Sequence, residues 1–378
     1  MVVTYKSEIR NPQFRLFLGQ VALIICLFLA TILTINYFVD ASQVITTKSS
    51  TNMARLALSG KIVAVPKNYN ERVYQVSIIE QMQSMPETIV IGSSRGMYLG
   101  KDITGFDSIY NHGVSGACME DYYALLGLYD KKFLKLPKRI IIEVSPWVFY
   151  ENNPDSRWSE NITYRSACKD FYEKVNKETF NRTNLKKENP YISIPYFQYN
   201  IEAIKEKGCK AFITQPAKVS NNTSEQADYP DGTIRYDASL ELPNPKRLEK
   251  VNSTNRGVTY ENVHKMKKIG AKQKSDFEKL INYLLEKNIE IMLYLQPFSA
   301  TQCKFIYEKN TNPVFAKVEK YLTDFSTQCN MTNIGKRNNI KVIGSYNAKY
   351  YNLSDESFID FMHLDKAGTA YVWKSFRK

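Results

Sequence analysis

The longest apolar run of the chain lies near its N-terminus. Residues 16–39, LFLGQVALIICLFLATILTINYFV, contain no charged side chain, and about 20 apolar residues suffice for a helix to cross a bilayer. The pattern therefore predicts one transmembrane helix. A cleaved signal peptide is the alternative, but its apolar region is shorter, roughly 7–15 residues, and ends at small residues, whereas the sequence FVDAS is a poor cleavage site.

The charges that flank this run predict its orientation. Lys6, Arg10 and Arg15 precede it, against a single Glu8. Because basic flanks remain in the cytoplasm, we expect a cytoplasmic tail at 1–15 and an extracytoplasmic location for everything that follows the membrane helix.

The rest of the chain alternates between helical and strand-like periodicity. Helices are predicted at residues 71–85, 118–134, 274–288, 312–328 and from 366 onwards, and strands at 88–92, 107–111, 138–146, 289–297 and 340–347. Strands that alternate with helices and form continuous apolar runs indicate a parallel sheet with helices on both faces. The predicted fold class is therefore α/β, with a doubly wound, flavodoxin-like, mostly parallel sheet.

Two segments lack this alternation. Residues 40–70 are predicted to form a stalk between the membrane helix and a folded domain at 71–378. Residues 150–270 are rich in Asn, Lys, Tyr and Pro and contain turn signals such as YPDGT and LPNPK. We expect this second segment to be an insertion or a small cap over the core.

The composition is that of a folded protein with a basic surface. The chain has 378 residues, of which 43% are hydrophobic and 24% charged, enough for a domain with a real hydrophobic core. The formal net charge of +13 favours anionic partners such as lipid head groups, acidic glycans or nucleic acid. The predicted topology argues against nucleic acid, and the basic residues are scattered along the sequence rather than gathered in one stripe.

Cysteine usage does not indicate a metal site. Cys26 lies in the apolar run, and the remaining five lie where disulfides are permitted: Cys118, Cys168, Cys209, Cys303 and Cys329. Since five is odd, at least one has no partner within the chain. Proximity in sequence suggests the pairs Cys303–Cys329 and Cys168–Cys209. No CxxC spacing indicates zinc, and neither a metal nor another cofactor is expected.

The candidates for chemistry follow the predicted strands, because ligands of parallel sheets bind beyond the carboxyl ends of the strands. ETIVIGSSRG places Ser93 and Ser94 after a buried strand, where a serine can act as a nucleophile or simply cap the next helix. His363 follows Asp360 in FIDFMH. An Asp and a His at this spacing can face one another on a turn, so that the carboxylate orients the imidazole as a base.

Three short motifs occur in the order that is found in the SGNH/GDSL hydrolases, and the chain resembles this family. GSS follows one strand, NHGVSG follows a second, and DxxH precedes the last helix. The resemblance covers roughly residues 87–146 and 275–378 and excludes the insertion and the membrane helix.

The resemblance implies a role for each motif. Ser94 matches the nucleophile, His363 the base and Asp360 its orienter. The backbone N–H groups of Ser94 and Gly116 match donors of the oxyanion hole. Ser93 stands where the family has an aspartate.

The chain departs from the family after the strand IIIEV. Many members have GxND there, and its Asn completes the oxyanion hole, whereas this chain has SPWVFYEN, which leaves a third donor unassigned. Membrane-anchored members that modify bacterial surface polymers, including those that transfer D-alanine to teichoic acids, have a comparable GSS and lack the ND. The resemblance thus implies a serine esterase or O-acyltransferase outside the bacterial cytoplasmic membrane. It would act on acyl esters, expected to be acetyl esters, of a cell-surface glycan, with a membrane acyl-donor protein as a further partner.

Other interpretations remain open. The missing Asn also fits a catalytically inactive, glycan-binding subunit of a polysaccharide modification or export complex. A lipase or thioesterase would need an apolar trough to which no sequence feature points.

Four residues near the strand ends are candidates for substrate binding: Arg95, Asn111, Ser145 and Trp147. For Arg95 the alternative is an ion pair with Glu143 or Asp121. For Asn111 it is the fixing of a loop. Trp147 can stack on a sugar ring or make a contact in the core.

Overall fold

The structure is a computed structural model of the chain. It describes residues 12–41, 45, 47–66, 69–181, 189–212, 217–238, 240, 244–254, 266–308, 314–332 and 340–376. Most of the predicted cytoplasmic tail lies outside the described residues.

The helices and strands largely follow the predicted periodicity. The helices are α1 (Pro12–Val39), α2 (Lys48–Leu58), α3 (Glu71–Gln81), α4 (Lys101–Thr104), α5 (Met119–Phe133), α6 (Ile162–Asn176), α7 (Ile194–Lys207), α8 (Asn244–Thr254), α9 (Ala271–Glu286), α10 (Ala300–Cys303), α11 (Val314–Thr332) and α12 (Lys366–Ser375). The strands are β1 (Val63–Ala64), β2 (Thr88–Ile91), β3 (Ile109–Asn111), β4 (Arg139–Glu143), β5 (Lys218–Val219), β6 (Ala227–Asp228), β7 (Ile234–Arg235), β8 (Glu290–Leu295) and β9 (Ile340–Gly344). Helix α3 ends earlier than predicted because Met82 already has an extended backbone, with φ −56° and ψ 129°.

Five strands form one parallel sheet in the order β3-β2-β4-β8-β9. Its register sets Ile89 of β2 beside Tyr110 of β3 and Ile140 of β4. The α/β class and the parallel sheet predicted from the sequence are confirmed. The order of the strands reverses around β2 and β4, and ligands of such sheets bind in the crevice beyond the carboxyl ends at this point.

The core lies on both faces of this sheet. Every residue of β2 is buried, and the apolar run Ile140–Ile142 of β4 has no exposed surface. Strands covered on both faces lack the alternation of a half-exposed strand, which is why the sequence shows them as unbroken apolar runs. Each such Ile or Leu contributes roughly 1.5–3 kcal/mol by its removal from water.

Helix α1 is different, because most of its side chains are exposed. It has 28 residues, and it is the described helix that is long and apolar enough to cross a membrane. The predicted N-terminal apolar helix is therefore confirmed as a structural element.

The prediction of a stalk at 40–70 is wrong for its described part. Met53 and Ala57 of α2 belong to the hydrophobic core, and α2 packs on α3. Val63 of β1 pairs with Val219 and with Asp228. These strand partners come from the segment 150–270, so the sequence of residues 40–70 could not indicate them.

The prediction of an insertion at 150–270 needs a partial correction. Helix α6, from this segment, packs on α5 of the main domain. The approach is so close that a Cβ at Gly127 would stand 2.3 Å from the carbonyl oxygen of Ala167. A second, antiparallel sheet joins β5, β1, β6 and β7. Part of the segment is therefore core, and part is an addition that reaches the carboxyl edge of the main sheet.

The suggested disulfides are absent, since all six cysteines are free. Cys168 and Cys303 are buried. The Cys303 Sγ donates to the carbonyl oxygen of Phe298 at 3.3 Å and accepts from the Ala348 N–H at 3.4 Å. Proximity in sequence to Cys209 and Cys329 did not place the sulfur atoms together.

Candidate active site

The turn after β2 carries the two serines at the reversal point of the sheet. Gly92 has φ +145°, and a Cβ there would stand 2.6 Å from the Cβ of Glu143 and 2.7 Å from its carbonyl oxygen. Glycine is therefore required for β2 to end this close to β4. The chain then enters a short 3₁₀ turn at Ser94–Gly96.

Ser93 is the cap of this turn. Its Oγ accepts from the backbone N–H of Arg95 at 3.3 Å, and its own N–H donates to Glu143 Oε2 at 2.8 Å. Ser93 is also buried. The capping role that either serine could have filled belongs to Ser93, which leaves the Ser94 hydroxyl for another partner.

That partner is His363. The Ser94 Oγ lies 2.8 Å from His363 Nε2, within the range of a good hydrogen bond between a nucleophile and a base. The His363 side chain is 20% exposed, and Ser94 is partly exposed as well. Both groups can therefore meet a substrate from solvent.

Asp360 completes the arrangement. Its Oδ2 lies 2.8 Å from His363 Nδ1, while its Oδ1 accepts from the backbone N–H groups of Met362 and His363 at 2.8 and 2.9 Å. Burial tends to raise the pKa of Asp360, but the imidazole and these hydrogen bonds outweigh it and lower the pKa to about 2. The carboxylate is thus ionised at neutral pH. It favours the tautomer in which Nδ1 carries the proton and Nε2 can accept from the Ser94 hydroxyl.

Arg95 does not face this site. Its side chain is buried, and its Nε donates to Gln296 Oε1 at 3.2 Å and to the Met362 carbonyl oxygen at 3.1 Å. Its Nη2 donates to the carbonyl oxygens of Gln296 and Pro297. The suggested role in substrate binding is therefore wrong, because the guanidinium is buried and its Nε and Nη2 donate to groups inside the protein.

The alternative partners suggested for Arg95 do not form ion pairs with it either. Asp121 is paired with Arg72 at 2.8 Å, and both side chains are buried. Glu143 accepts from Ser93 and, at 2.6 Å, from the Ser145 hydroxyl. Instead the Arg95 guanidinium lies 4.0 Å from the centre of the Phe298 ring, and its burial lowers its pKa.

Asn111 and His112 of the NHGVSG motif are buried supports. The Asn111 amide donates to the carbonyl oxygens of Gly96 and Leu99 at 2.8 and 3.0 Å. Asn111 therefore fixes the segment after Ser94, which is the alternative to substrate binding that the sequence suggested for this residue. The His112 ring lies between Gln75 and Tyr129, and burial lowers its pKa to about 3. Neither side chain can reach a substrate.

Ser145 and Trp147 are also buried, so their suggested contacts with substrate are wrong. The Ser145 hydroxyl donates to Glu143 and lies 3.1 Å from the Ser93 hydroxyl. The Trp147 indole N–H donates to the carbonyl oxygen of Ala117 at 3.1 Å. Trp147 therefore makes a core contact that holds the end of the NHGVSG loop.

The predicted oxyanion donors, the N–H groups of Ser94 and Gly116, have no hydrogen-bond partner among the described residues. The loop that carries Gly116 is fixed to the nucleophile turn, since the Val114 N–H donates to the Gly92 carbonyl oxygen at 3.0 Å. Both donors thus remain predictions, and the third donor stays unassigned.

The structure adds Tyr236, which sequence reasoning missed. Its hydroxyl donates to the carbonyl oxygen of Ser94 at 3.3 Å, and its ring centre lies 6.3 Å from that of His363. Tyr236 follows β7 in a hairpin that is hydrogen-bonded to the site through its backbone. The Asn111 N–H donates to the carbonyl oxygen of Asp231, and the Ile234 N–H donates to that of Met97. No motif marks this tyrosine among the 26 of the chain.

Within the described ranges, no group of three or more His, Cys, Asp or Glu side chains could hold a metal ion. The arrangement at Ser94 has the parts of a nucleophile, a base and an orienting carboxylate.

Comparisons with known proteins leave the family open. No model of a known protein family matches the chain, and no curated protein matches it. The resemblance to SGNH hydrolases therefore depends on the motifs and their geometry alone.

Proposed function

We propose that this protein is a membrane-anchored serine esterase or O-acyltransferase of SGNH type that acts on acyl esters of a cell-surface glycan. The observation that carries the proposal is the hydrogen-bonded series Ser94 Oγ, His363 Nε2, His363 Nδ1 and Asp360 Oδ2, with 2.8 Å at each contact between residues. A serine, a histidine and an aspartate in this geometry form a nucleophilic triad.

The proposed reaction has two halves. Ser94 Oγ attacks the acyl carbonyl carbon while its proton passes to His363 Nε2, and the anionic oxygen accepts from the N–H groups of Ser94 and Gly116. The tetrahedral species collapses, the ester C–O bond breaks, and His363 returns the proton to the departing alkoxide. Water or a glycan hydroxyl then attacks the acyl-enzyme, giving its proton to His363, and Ser94 is released with that proton.

Asp360 serves both halves without changing its protonation. With a pKa of about 2 the carboxylate stays ionised and stabilises the imidazolium that forms in each half.

The apolar helix α1 supports the proposed substrate class. A helix that anchors the domain outside the bacterial cytoplasmic membrane keeps it near surface polysaccharides and their lipid-linked precursors. A membrane protein that supplies acyl groups fits the same location. The acetyl group is the acyl group that we favour.

The test is covalent labelling by a fluorophosphonate, which reacts with activated serines. The full chain in detergent should be labelled, and Ser94→Ala should abolish the label. Ser93→Ala is the matched control, because Ser93 is adjacent but turned to Ser145 and Arg95. Equal labelling of the wild type and Ser94→Ala would overturn the proposal and favour the inactive glycan-binding subunit.

A further inference from the structure

One face of the last two turns of α1 is covered by the domain, although the rest of the helix is mostly exposed. Ile32, Asn36 and Val39 are the buried side chains of this helix. Their spacing places them on one face. Helix α7 and the turn Gly208–Phe212 pack against α1.

Asn36 is the polar residue at the centre of this contact. Its Nδ2 donates to the carbonyl oxygens of Pro190, Tyr191 and Ser193 at 2.9–3.1 Å. Its Oδ1 accepts from Asn200 Nδ2 at 3.1 Å. An amide in an apolar helix needs such partners wherever water is excluded.

The contact continues just past the end of α1. The Tyr196 hydroxyl donates to Asp40 at 2.6 Å, and the Ala41 N–H donates to Asn200 Oδ1 at 2.9 Å. The segment 190–200 is therefore held against α1 by its backbone and by its polar side chains.

The apolar side chains of the same segment point elsewhere. Ile192 and Ile194 are each 52% exposed, and Tyr191 and Tyr199 are 41% and 38% exposed. The Tyr199 ring stacks on Tyr196 at 6.4 Å. Exposed Ile and Tyr beside a membrane helix have the composition of an interfacial element, in which Tyr rings lie at the head-group level.

The length of the apolar run gives the depth of this segment. About 20 residues cross the hydrocarbon core, and a span that begins at Leu16, the first residue of the apolar run, ends near position 35. Asn36 then lies at the boundary between hydrocarbon and head groups. The carbonyl groups of 190–193 that bond to it lie at the same level.

We infer that residues 190–200 form a second membrane-contacting element, whose Tyr191, Ile192, Ile194 and Tyr199 side chains enter the interface of the lipid bilayer beside α1. The inference rests on the membrane anchoring that belongs to the proposed function, but not on the proposed chemistry. This element holds the domain against the bilayer surface instead of letting it pivot on one helix. Residues 190–200 contain no charged side chain, so the contact depends on apolar burial and not on anionic lipid.

The experiment uses the full chain in phosphatidylcholine vesicles. Ile192→Trp and Ile194→Trp place a fluorophore at the proposed contact, and Met331→Trp is the control at an apolar residue that is 65% exposed. The native Trp147, Trp158 and Trp373 are buried, so their quenching is subtracted with the wild type. The quencher is phosphatidylcholine brominated near the upper end of its acyl chains.

We expect roughly twofold or greater quenching at positions 192 and 194 and little at 331, as for side chains at the acyl boundary. If the protein floats with the vesicles but 192 and 194 remain unquenched, or are quenched no more than 331, the inference is overturned while the anchor and the proposed chemistry stand. If it does not float, the anchor fails and the inference fails with it. Fluorophosphonate labelling of the same samples reports on Ser94 independently.

Discussion

Arg95, the residue after Ser94, donates from its Nε to the carbonyl oxygen of Met362, the residue before His363, at 3.1 Å. Ser94 and His363 are far apart in the chain, and this contact ties the side chain beside Ser94 to the backbone beside His363. The guanidinium also binds two carbonyl groups after β8. Arg95 is therefore a positioning residue, which holds the Ser94 turn and the His363 loop in register.

Arg95→Lys should slow labelling of Ser94 by about tenfold or more, because an ammonium cannot reach all the carbonyl groups that the guanidinium fork satisfies. Loss of the charged donor to these carbonyl groups should lower the free energy of unfolding by ~2 kcal/mol. Labelling rates and denaturant melts would measure the two effects. Arg139→Lys is the matched control, because Arg139 also stacks on a ring, Phe106, but at the opposite end of β4; a loss of labelling equal to that of Arg95→Lys would contradict the positioning role.

The proposed triad predicts a graded loss of activity. Ser94→Ala and His363→Ala should each lower kcat by about 10⁵–10⁶, and Asp360→Asn by about 10⁴, because the amide favours the wrong tautomer of His363. Release of acetate from an acetylated oligosaccharide measures this. An Asp360→Asn enzyme as active as the wild type would remove Asp360 from the mechanism.

Tyr236 predicts a dependence on the aromatic ring. Tyr236→Ala should lower kcat/KM for an acetylated oligosaccharide about tenfold, since the ring forms a wall beside His363, and tenfold corresponds to ~1.4 kcal/mol. Tyr236→Phe should stay within a factor of about three, because the 3.3 Å hydrogen bond to the Ser94 carbonyl is a weak one. Equal losses in both variants would assign the effect to the hydroxyl instead.

Asp228 predicts a pH dependence of stability. Burial, and then the nearby Glu71 carboxylate, raise the pKa of Asp228 to about 8, and its Oδ2 has no partner. The folded protein keeps a proton that the unfolded chain releases near pH 4. The stabilisation from this proton is complete below pH 4 and is lost as the pH rises through 8.

Asp228→Asn cannot ionise, so its free energy of unfolding relative to the wild type should increase from about pH 4 to about pH 8 and then level off. Urea melts across this range measure the difference. The exposed Asp170→Asn should show no such trend. A difference for Asp228→Asn that stays constant with pH would contradict the raised pKa.

The parts of the site that depend on short sequence spacing were predictable. Asp360 and His363 meet because a three-residue turn sets their distance. Ser94 reaches the carboxyl edge because Gly92 follows a buried strand. GSS and NHGVSG follow β2 and β3, which are neighbours in the parallel sheet, so both motifs lie at its carboxyl edge.

The parts that depend on burial were not predictable. Arg95, Ser145 and Trp147 follow strands just as Ser94 does, yet their side chains turn inward to partners within the protein. Tyr236 reaches the site through a hairpin that is hydrogen-bonded to Met97 and Asn111. No periodic pattern in the sequence indicates these hydrogen bonds. The pairing of β1 with strands from the insertion likewise joins segments that no local pattern connects.

The sequence by itself determined the apolar helix at the N-terminus, the alternation of strands and helices, and the serine and the DxxH pair as candidates. These follow from local propensity and periodicity, which act over a few residues. Tertiary structure alone decided that Ser93 caps the turn, which polar residues are buried, and that residues 190–200 cover Asn36. Those outcomes depend on close packing between distant segments. The role of a buried polar side chain is decided by the partners that the fold brings within hydrogen-bond distance.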